Sequence, residues 1–227
     1  MDIHKPKAAH SIREFLVEIG TIICGILIAL GLEQSIEALH RNTEVRETRE
    51  VLNTEMSENI ARLVLSTQEN RCLLPQLATY AAWARGGSKP PPFRYFMPLL
   101  RTSTWDTVKS GAVAHMPLKD RVSLAAHYDA INNHVQTYSQ QLTFHWPLIA
   151  FAELASLGAD QKVALLKVVA QEQLQAHRII GTANYTIERT RADMKLPEAT
   201  SRGLARTRAG VAWVCNPTAP DPFGNAR

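Results

Sequence analysis

Residues 15–34 read FLVEIGTIICGILIALGLEQ. From Ile19 to Leu32 there are 14 consecutive uncharged residues, five Ile and three Leu among them. Such a run has no polar face to turn toward water. By itself it falls short of the about 20 residues that cross a bilayer. Its flanks lengthen it: counting from Phe15 gives 18 residues with Glu18 as the sole charge, Ile12 lies before, and Ile36, Ala38 and Leu39 lie after. Glu18 sits about one turn from the end, where a carboxylate reaches the headgroup zone. The expectation is a transmembrane helix over 15–36, preceded by a short cytoplasmic tail, 1–14.

Two rival readings stand beside the anchor. Lys5, Lys7 and Arg13 form a basic leader, and Ala29-Leu30-Gly31 resembles a small-x-small cleavage site, so a cleaved signal is one. A helix inside a soluble core is the other. The anchor is favoured because helical character runs on into EQSIEALHRNTEVRETREVLNTEMSENIARLVL, where a signal peptide would hand over to a turn-prone stretch. Thr21, Gly25 and Ala29 share a face at i, i+4, a small-residue spacing that lets helix backbones approach closely. They form the candidate helix-pairing face, although such residues are common in membrane helices of any kind.

Three bases precede the run (Lys5, Lys7, Arg13) and three follow it (Arg41, Arg46, Arg49), but Arg13 abuts it, whereas the far side meets Glu33 and Glu37 first. The positive-inside tendency then puts the N-terminus in the cytoplasm and the long C-terminal part outside, periplasmic if the membrane is a bacterial inner membrane. Cys72 and Cys215 would there face oxidising conditions and form the candidate disulfide, the alternative being two unrelated thiols. Cys24 lies in the span, and with no CxxC pair a zinc ribbon or thioredoxin-like site is excluded.

The chain has 227 residues, 45% hydrophobic and 20% charged, with a net charge of +4. That composition folds rather than staying disordered. Acids and bases interleave, with five Arg against six Glu between Arg41 and Arg71, so no basic stripe suggests nucleic acid. Val45, Leu52, Met56, Ile60, Leu63 and Val64 recur at helical spacing. Pro75 is expected to kink or restart this helix, and GGSKPPP (86–92) to end it. A short helix follows near Trp105, with Trp105 and Val108 facing the core. A longer one starts at Pro117, with Val122, Ala125, Ile131, Val135, Tyr138 and Leu142 as its apolar stripe and a break or kink at Trp146-Pro147. The last, from about Ala159 to Met194, offers Val163, Leu166, Val169, Ala170, Leu174 and Ile180. No strand-like alternation of useful length occurs. The fold class is therefore all-α: an antiparallel helical bundle over 37–195, closed by a mostly irregular tail, 196–227.

The segments REFLVEIGTIICGILIALGLEQ and TSTWDTVKSGAVAHMPL resemble a group of uncharacterised, N-terminally anchored single-span membrane proteins from proteobacteria. The likeness extends from Ile12 to about Met194 and implies an anchor followed by a helical domain. It implies no activity or substrate.

Candidate chemistry is sparse. His127, His134 and His145 share one helix face, but at ~1.5 Å per residue they stand roughly 10 and 16 Å apart. One ion binds its ligands at about 2 Å, so the trio reads as a partly buried face and not a metal site. Asp106 and Lys109, with His115 nearby, form a candidate polar pocket with acid–base groups. Asp120, His127 and Tyr128 are alternative members. Asp106 near a helix start is also favoured on dipole grounds alone. No phosphate loop, nucleophile elbow or HExxH is present, and no cofactor is implied. The expectation is a non-enzymatic interaction or scaffolding protein of the cell envelope, with the lipid bilayer and a second copy or another membrane protein as partners. The alternative is a small-ligand-binding or sensory helical ectodomain acting through a membrane partner, because a tail of about 14 residues leaves no room for an output domain.

Overall fold

The computed structural model describes residues 12–199, 201–216, 218–219 and 221–223. Five α-helices account for most of them: α1 Ile12–Ala84, α2 Ser103–Val108, α3 Leu118–Ala152, α4 Ala159–Asp193 and α5 Ser201–Cys215. A 3-10 turn, Ala112–His115, lies between α2 and α3, and no strand occurs among the described residues. The chain divides into two compact units, Met1–Glu47 and Thr48–Arg227.

In the first unit, residues 12–47 belong to α1, and their apolar side chains are exposed, Ile22, Ile23, Ile26, Leu27 and Ile28 among them. This is the one stretch among the described residues that is long and apolar enough to cross a membrane. Its hydroxyls are satisfied inside the helix: Thr21 Oγ1 donates to the Val17 carbonyl at 2.8 Å and Ser35 Oγ to the Gly31 carbonyl at 2.7 Å. A polar group in a lipid environment needs such an internal partner. Thr21, Gly25 and Ala29 are exposed together, and a Cβ added at Gly25 would meet nothing within 4 Å.

In the second unit α1 is the central element. Leu52, Met56, Leu63, Leu73 and Leu77 have no exposed surface, and Ile60 is buried as expected, whereas Val64 is exposed. Pro75 does not interrupt α1, and α3 likewise runs through Pro147. A proline removes the donor for the carbonyl four residues earlier. Those carbonyls belong to Arg71 and Thr143, both exposed residues, so water can replace the lost amide and the expected breaks do not form. The helix stops instead at Gly86, whose φ of 102° suits glycine. Gly86 N–H donates to the Trp83 carbonyl and Gly87 N–H to the Ala82 carbonyl, both at 3.0 Å, the paired bonds of a Schellman ending.

Residues 88–102 then run extended back along α1 with no strand to pair with. Buried or half-buried backbone groups in such a strap still need partners. Side chains of α1 supply them. Tyr80 donates to the Pro91 carbonyl at 3.0 Å. The Gln76 amide both donates to the Arg94 carbonyl (3.1 Å) and accepts from the Arg94 N–H (3.0 Å). Asn59 does the same at Arg101, at 2.6 and 2.8 Å. Glu69 accepts from Phe96 N–H at 3.3 Å. Residues 80, 76, 69 and 59 fall on one side of the helix at 100° per residue, so a single face of α1 carries the strap.

α3 and α4 form an antiparallel hairpin, since His127 meets Thr190, His134 meets Thr186 and His145 meets Glu172. Gln161 starts α4 by accepting from the Gly158 N–H at 2.8 Å. The apolar stripes expected on these helices meet the core only in part: Ile131, Tyr138 and Val169 are buried. Val122 and Val135 of α3 are exposed, as are Val163 and Leu174 of α4, each 70% accessible. The buried line on α3 is Leu124, His127, Tyr128, Ile131, His134, Tyr138, Gln141, His145 and Leu148. Tyr128, His127, His134, Gln141 and His145 occupy core positions there because each finds a partner on α1 or α4.

The C-terminal part also departs from the expected irregular tail. Ser201–Cys215 is helical, and Leu204, Val211 and Val214 are buried. α5 is joined to α1 by the Cys72–Cys215 disulfide, with Cα atoms 5.0 Å apart.

Candidate functional site

The Asp106–Lys109 pair lies at the surface. Lys109 Nζ donates to Asp106 Oδ1 at 2.7 Å, with both side chains about half exposed. That bond, with a second from Thr102 Oγ1 at 3.1 Å, holds the Asp106 carboxyl below its usual range. His115 is exposed on the 3-10 turn and forms no enclosed pocket with them. Trp105 is half-buried and not a full core residue; its ring stacks on Tyr128, centroids 4.9 Å apart. α2 is anchored from outside itself: Glu55 of α1 accepts from the Thr104 N–H at 3.1 Å and from the Tyr128 hydroxyl at 3.0 Å. A carboxylate at a helix N-terminus satisfies orphan donors and meets a favourable dipole. Burial, followed by the Glu55 charge, drives the Tyr128 hydroxyl pKa strongly upward. Asp120 pairs with Arg49 instead of joining a pocket with His127.

The three histidines of α3 lie on the buried face, each against α4. His127 Nδ1 is 3.0 Å from Thr190 Oγ1, and its Nε2 is 3.5 Å from Asp193. His134 Nε2 is 3.1 Å from Thr186 Oγ1. Burial pushes both pKa values down, against the nearby Asp193 charge at His127 and a backbone hydrogen bond to Thr182 at His134.

His145 belongs to a larger assembly that sequence reading did not find. Gln141 Nε2 lies 2.7 Å from both Asn70 Oδ1 and Glu172 Oε1, linking α1, α3 and α4 through one amide. His145 Nε2 is 3.0 Å from the same Glu172 oxygen. Asn70 in turn donates to the Ser66 carbonyl and to Glu69 Oε2, both at 3.0 Å. Phe93 and Tyr95 of the strap pack against the imidazole, with centroids 5.5 and 4.6 Å away. Glu172 has no exposed surface and Glu69 only 2%. Desolvation, opposed by the Phe96 N–H and reinforced by the nearby Glu172 charge, raises the Glu69 pKa well above the ordinary carboxyl range. Two carboxyls and an imidazole are the ingredients of acid–base catalysis, but here they are sealed beneath side chains. What the arrangement accomplishes is register. Sliding one helix by a turn would strand several buried polar groups at once, each at a cost of about 1–3 kcal/mol.

The openings in this unit lie elsewhere. Between α3 and α4 lies a groove of ≈ 450 Å³ with Asn133, Gln136 and Gln140 on one wall and Arg178, Thr182 and Tyr185 on the other. A second, of ≈ 360 Å³, lies where α1, the strap and α5 meet. No protein-family model, curated protein or solved structure matches this chain.

Proposed function

We propose that this chain is a membrane-anchored, non-enzymatic contact protein whose Thr48–Arg227 unit acts outside the cytoplasm. The observation that carries the reading is the fully exposed apolar stretch of α1, whose hydroxyls bond only within their own helix. Exposed surface of that size is not stable in water and calls for lipid or a partner. The Cys72–Cys215 pairing supports an oxidising compartment for the second unit, consistent with an N-terminus in the cytoplasm. A contact role is supported by a core whose acid–base groups are enclosed and by the polar, open groove between α3 and α4. The test is alkaline carbonate extraction combined with the intact mass. Release into the soluble fraction, or loss of the first ~30 residues typical of a signal peptide, refutes anchoring. For the contact role, photo-crosslinkers at Gln136 and Tyr185 should give a discrete adduct that the same probe at Val163 does not.

A second reading, a ligand-binding ectodomain, is favoured by one observation: the opening beside α5 is lined by arginines.

A further inference from the structure

The opening at the junction of α1, the strap and α5 gathers three guanidinium groups: Arg62, Arg101 and Arg206. Arg62 is only 3% exposed. Its Nη2 donates to Glu58 Oε2 at 2.9 Å, while its buried Nη1 meets no acceptor. A buried guanidinium N–H without an acceptor is costly, more so than a neutral one, and at the wall of a cavity a bound acceptor accounts for it. Arg101 Nη1 stands 3.9 Å from the same Glu58 oxygen, too far for a hydrogen bond, and its side chain is 62% exposed. Arg206 lies over the Phe223 ring at 5.3 Å, and that ring stacks on Phe96 at 5.5 Å. Among the described residues, three guanidinium groups thus line a cavity of ≈ 360 Å³, with the Glu58 carboxylate bonded to Arg62 and 3.9 Å from Arg101. Phe96, Met97 and the exposed Leu99 give the same cavity an apolar wall.

We infer that this cavity binds a small oxyanion that carries an apolar group, its phosphate or carboxylate head on the arginines and its apolar part against Phe96, Met97 and Leu99. The guanidinium fork matches either oxyanion, since both present two oxygens in a plane to paired N–H donors. The apolar wall separates this site from a simple counter-ion patch, because an inorganic ion would leave it wet. This inference is independent of the anchor: it rests on the second unit alone, and its failure would leave membrane attachment untouched.

The experiment uses the full chain in nanodiscs of zwitterionic lipid and three probes: phenyl phosphate, inorganic phosphate and benzyl alcohol. Titration calorimetry should show saturable binding of phenyl phosphate, weaker binding of inorganic phosphate and none of the neutral alcohol. Arg101→Ala and Arg206→Gln change exposed side chains, and each should weaken phenyl phosphate by about tenfold, the loss of one charge-assisted contact. Phenyl phosphate should also protect Arg101 and Arg206 of the unaltered chain from phenylglyoxal, a readout that needs no variant. Adding an anionic phospholipid to the nanodisc separates the sources: competition assigns a lipid headgroup, and its absence a soluble anion. Absence of saturable binding, affinity unchanged from the parent in the two variants, or arginine modification unchanged by the probe would each overturn the site.

Discussion

Removing the Cys72–Cys215 bridge, by reduction or by Cys72→Ser with Cys215→Ser, should lower the melting temperature of the Thr48–Arg227 unit sharply. The bridge spans a sequence separation of 143. In the chain-entropy description a closed loop of that length stabilises the fold by about 5 kcal/mol at 25 °C, through the freedom it removes from the unfolded chain. For domains of roughly 150–250 residues each kcal/mol moves the midpoint by about 2–4 °C, so the expected fall is about 10–20 °C. The native contacts of α5 do not depend on the sulfurs. Leu204, Val211 and Val214 remain buried, and Arg94 still donates to the Trp213, Asn216 and Ala219 carbonyls at 3.3, 3.0 and 3.2 Å. The double variant should therefore keep its helix content at low temperature.

The assay is circular dichroism of the full chain in nanodiscs, scanned with and without reductant, alongside trypsin digestion. Arg206 and Arg208 are exposed on α5 and become cleavable once that helix detaches. A midpoint that moves by less than about 3 °C would show that the bridge does not restrict the unfolded chain as calculated. Labelling of both thiols in native protein taken from an oxidising compartment would reject the bridge itself, and with it the support for an outward-facing second unit.

Other perturbations address single contacts. Gly210→Ala should destabilise by about 1–3 kcal/mol, because a Cβ there runs into the Phe96 ring; an unchanged midpoint would mean that the strap yields freely. Asn59→Leu removes both partners of the Arg101 backbone and should cost about 2–5 kcal/mol by urea denaturation, with trypsin cleavage in the strap rising in parallel. Glu69 has a folded pKa above its unfolded one, so its contribution is full below the ordinary carboxyl range and is lost as pH rises toward the folded value. Glu69→Gln should accordingly flatten the stability–pH profile above about pH 4.5, and a slope identical to the parent's would refute the assignment. His127 and His134 act in the opposite sense. Their folded pKa values lie below the unfolded one, so stability falls as pH drops below about 6.5, and His134→Gln should reduce that acid loss.

The elements were largely legible, whereas the faces they bury were not. Leu52, Met56, Ile60 and Leu63 are apolar and buried, so helical periodicity finds the core side of α1 without help. On α3 the same reasoning turns toward Val122 and Val135, because it treats polarity as exposure. The helix buries His127, His134, Gln141 and His145 instead, and leaves both valines in water. Only partners on α1 and α4 make those positions tolerable, and partners more than 25 residues away in the chain leave no local mark. α5 escaped for a related reason. With Arg, Thr and Gly in most of its turns it has few apolar residues to repeat, and it is docked by a disulfide, by Arg94 and by the buried apolar side chains of Leu204, Val211 and Val214.

The sequence of α3 carries one signal of the buried polar line. Residues 127, 134, 141, 145 and 148 repeat every three to seven positions, and that line is as periodic as an apolar stripe. A helix that places imidazoles and an amide at heptad-like spacing, between Tyr128, Ile131 and Tyr138, describes a core position that demands a hydrogen bond. Read so, α3 announces that its neighbours must carry acceptors, and α4 has Glu172, Thr186 and Thr190 at the matching steps. Such a lattice excludes other registers more than it adds stability, since a slipped helix would leave buried donors facing hydrocarbon. A register held this firmly keeps α1 and the α3–α4 hairpin aligned, and with them the strap whose Phe96, Met97 and Leu99 form the apolar wall beside Arg62.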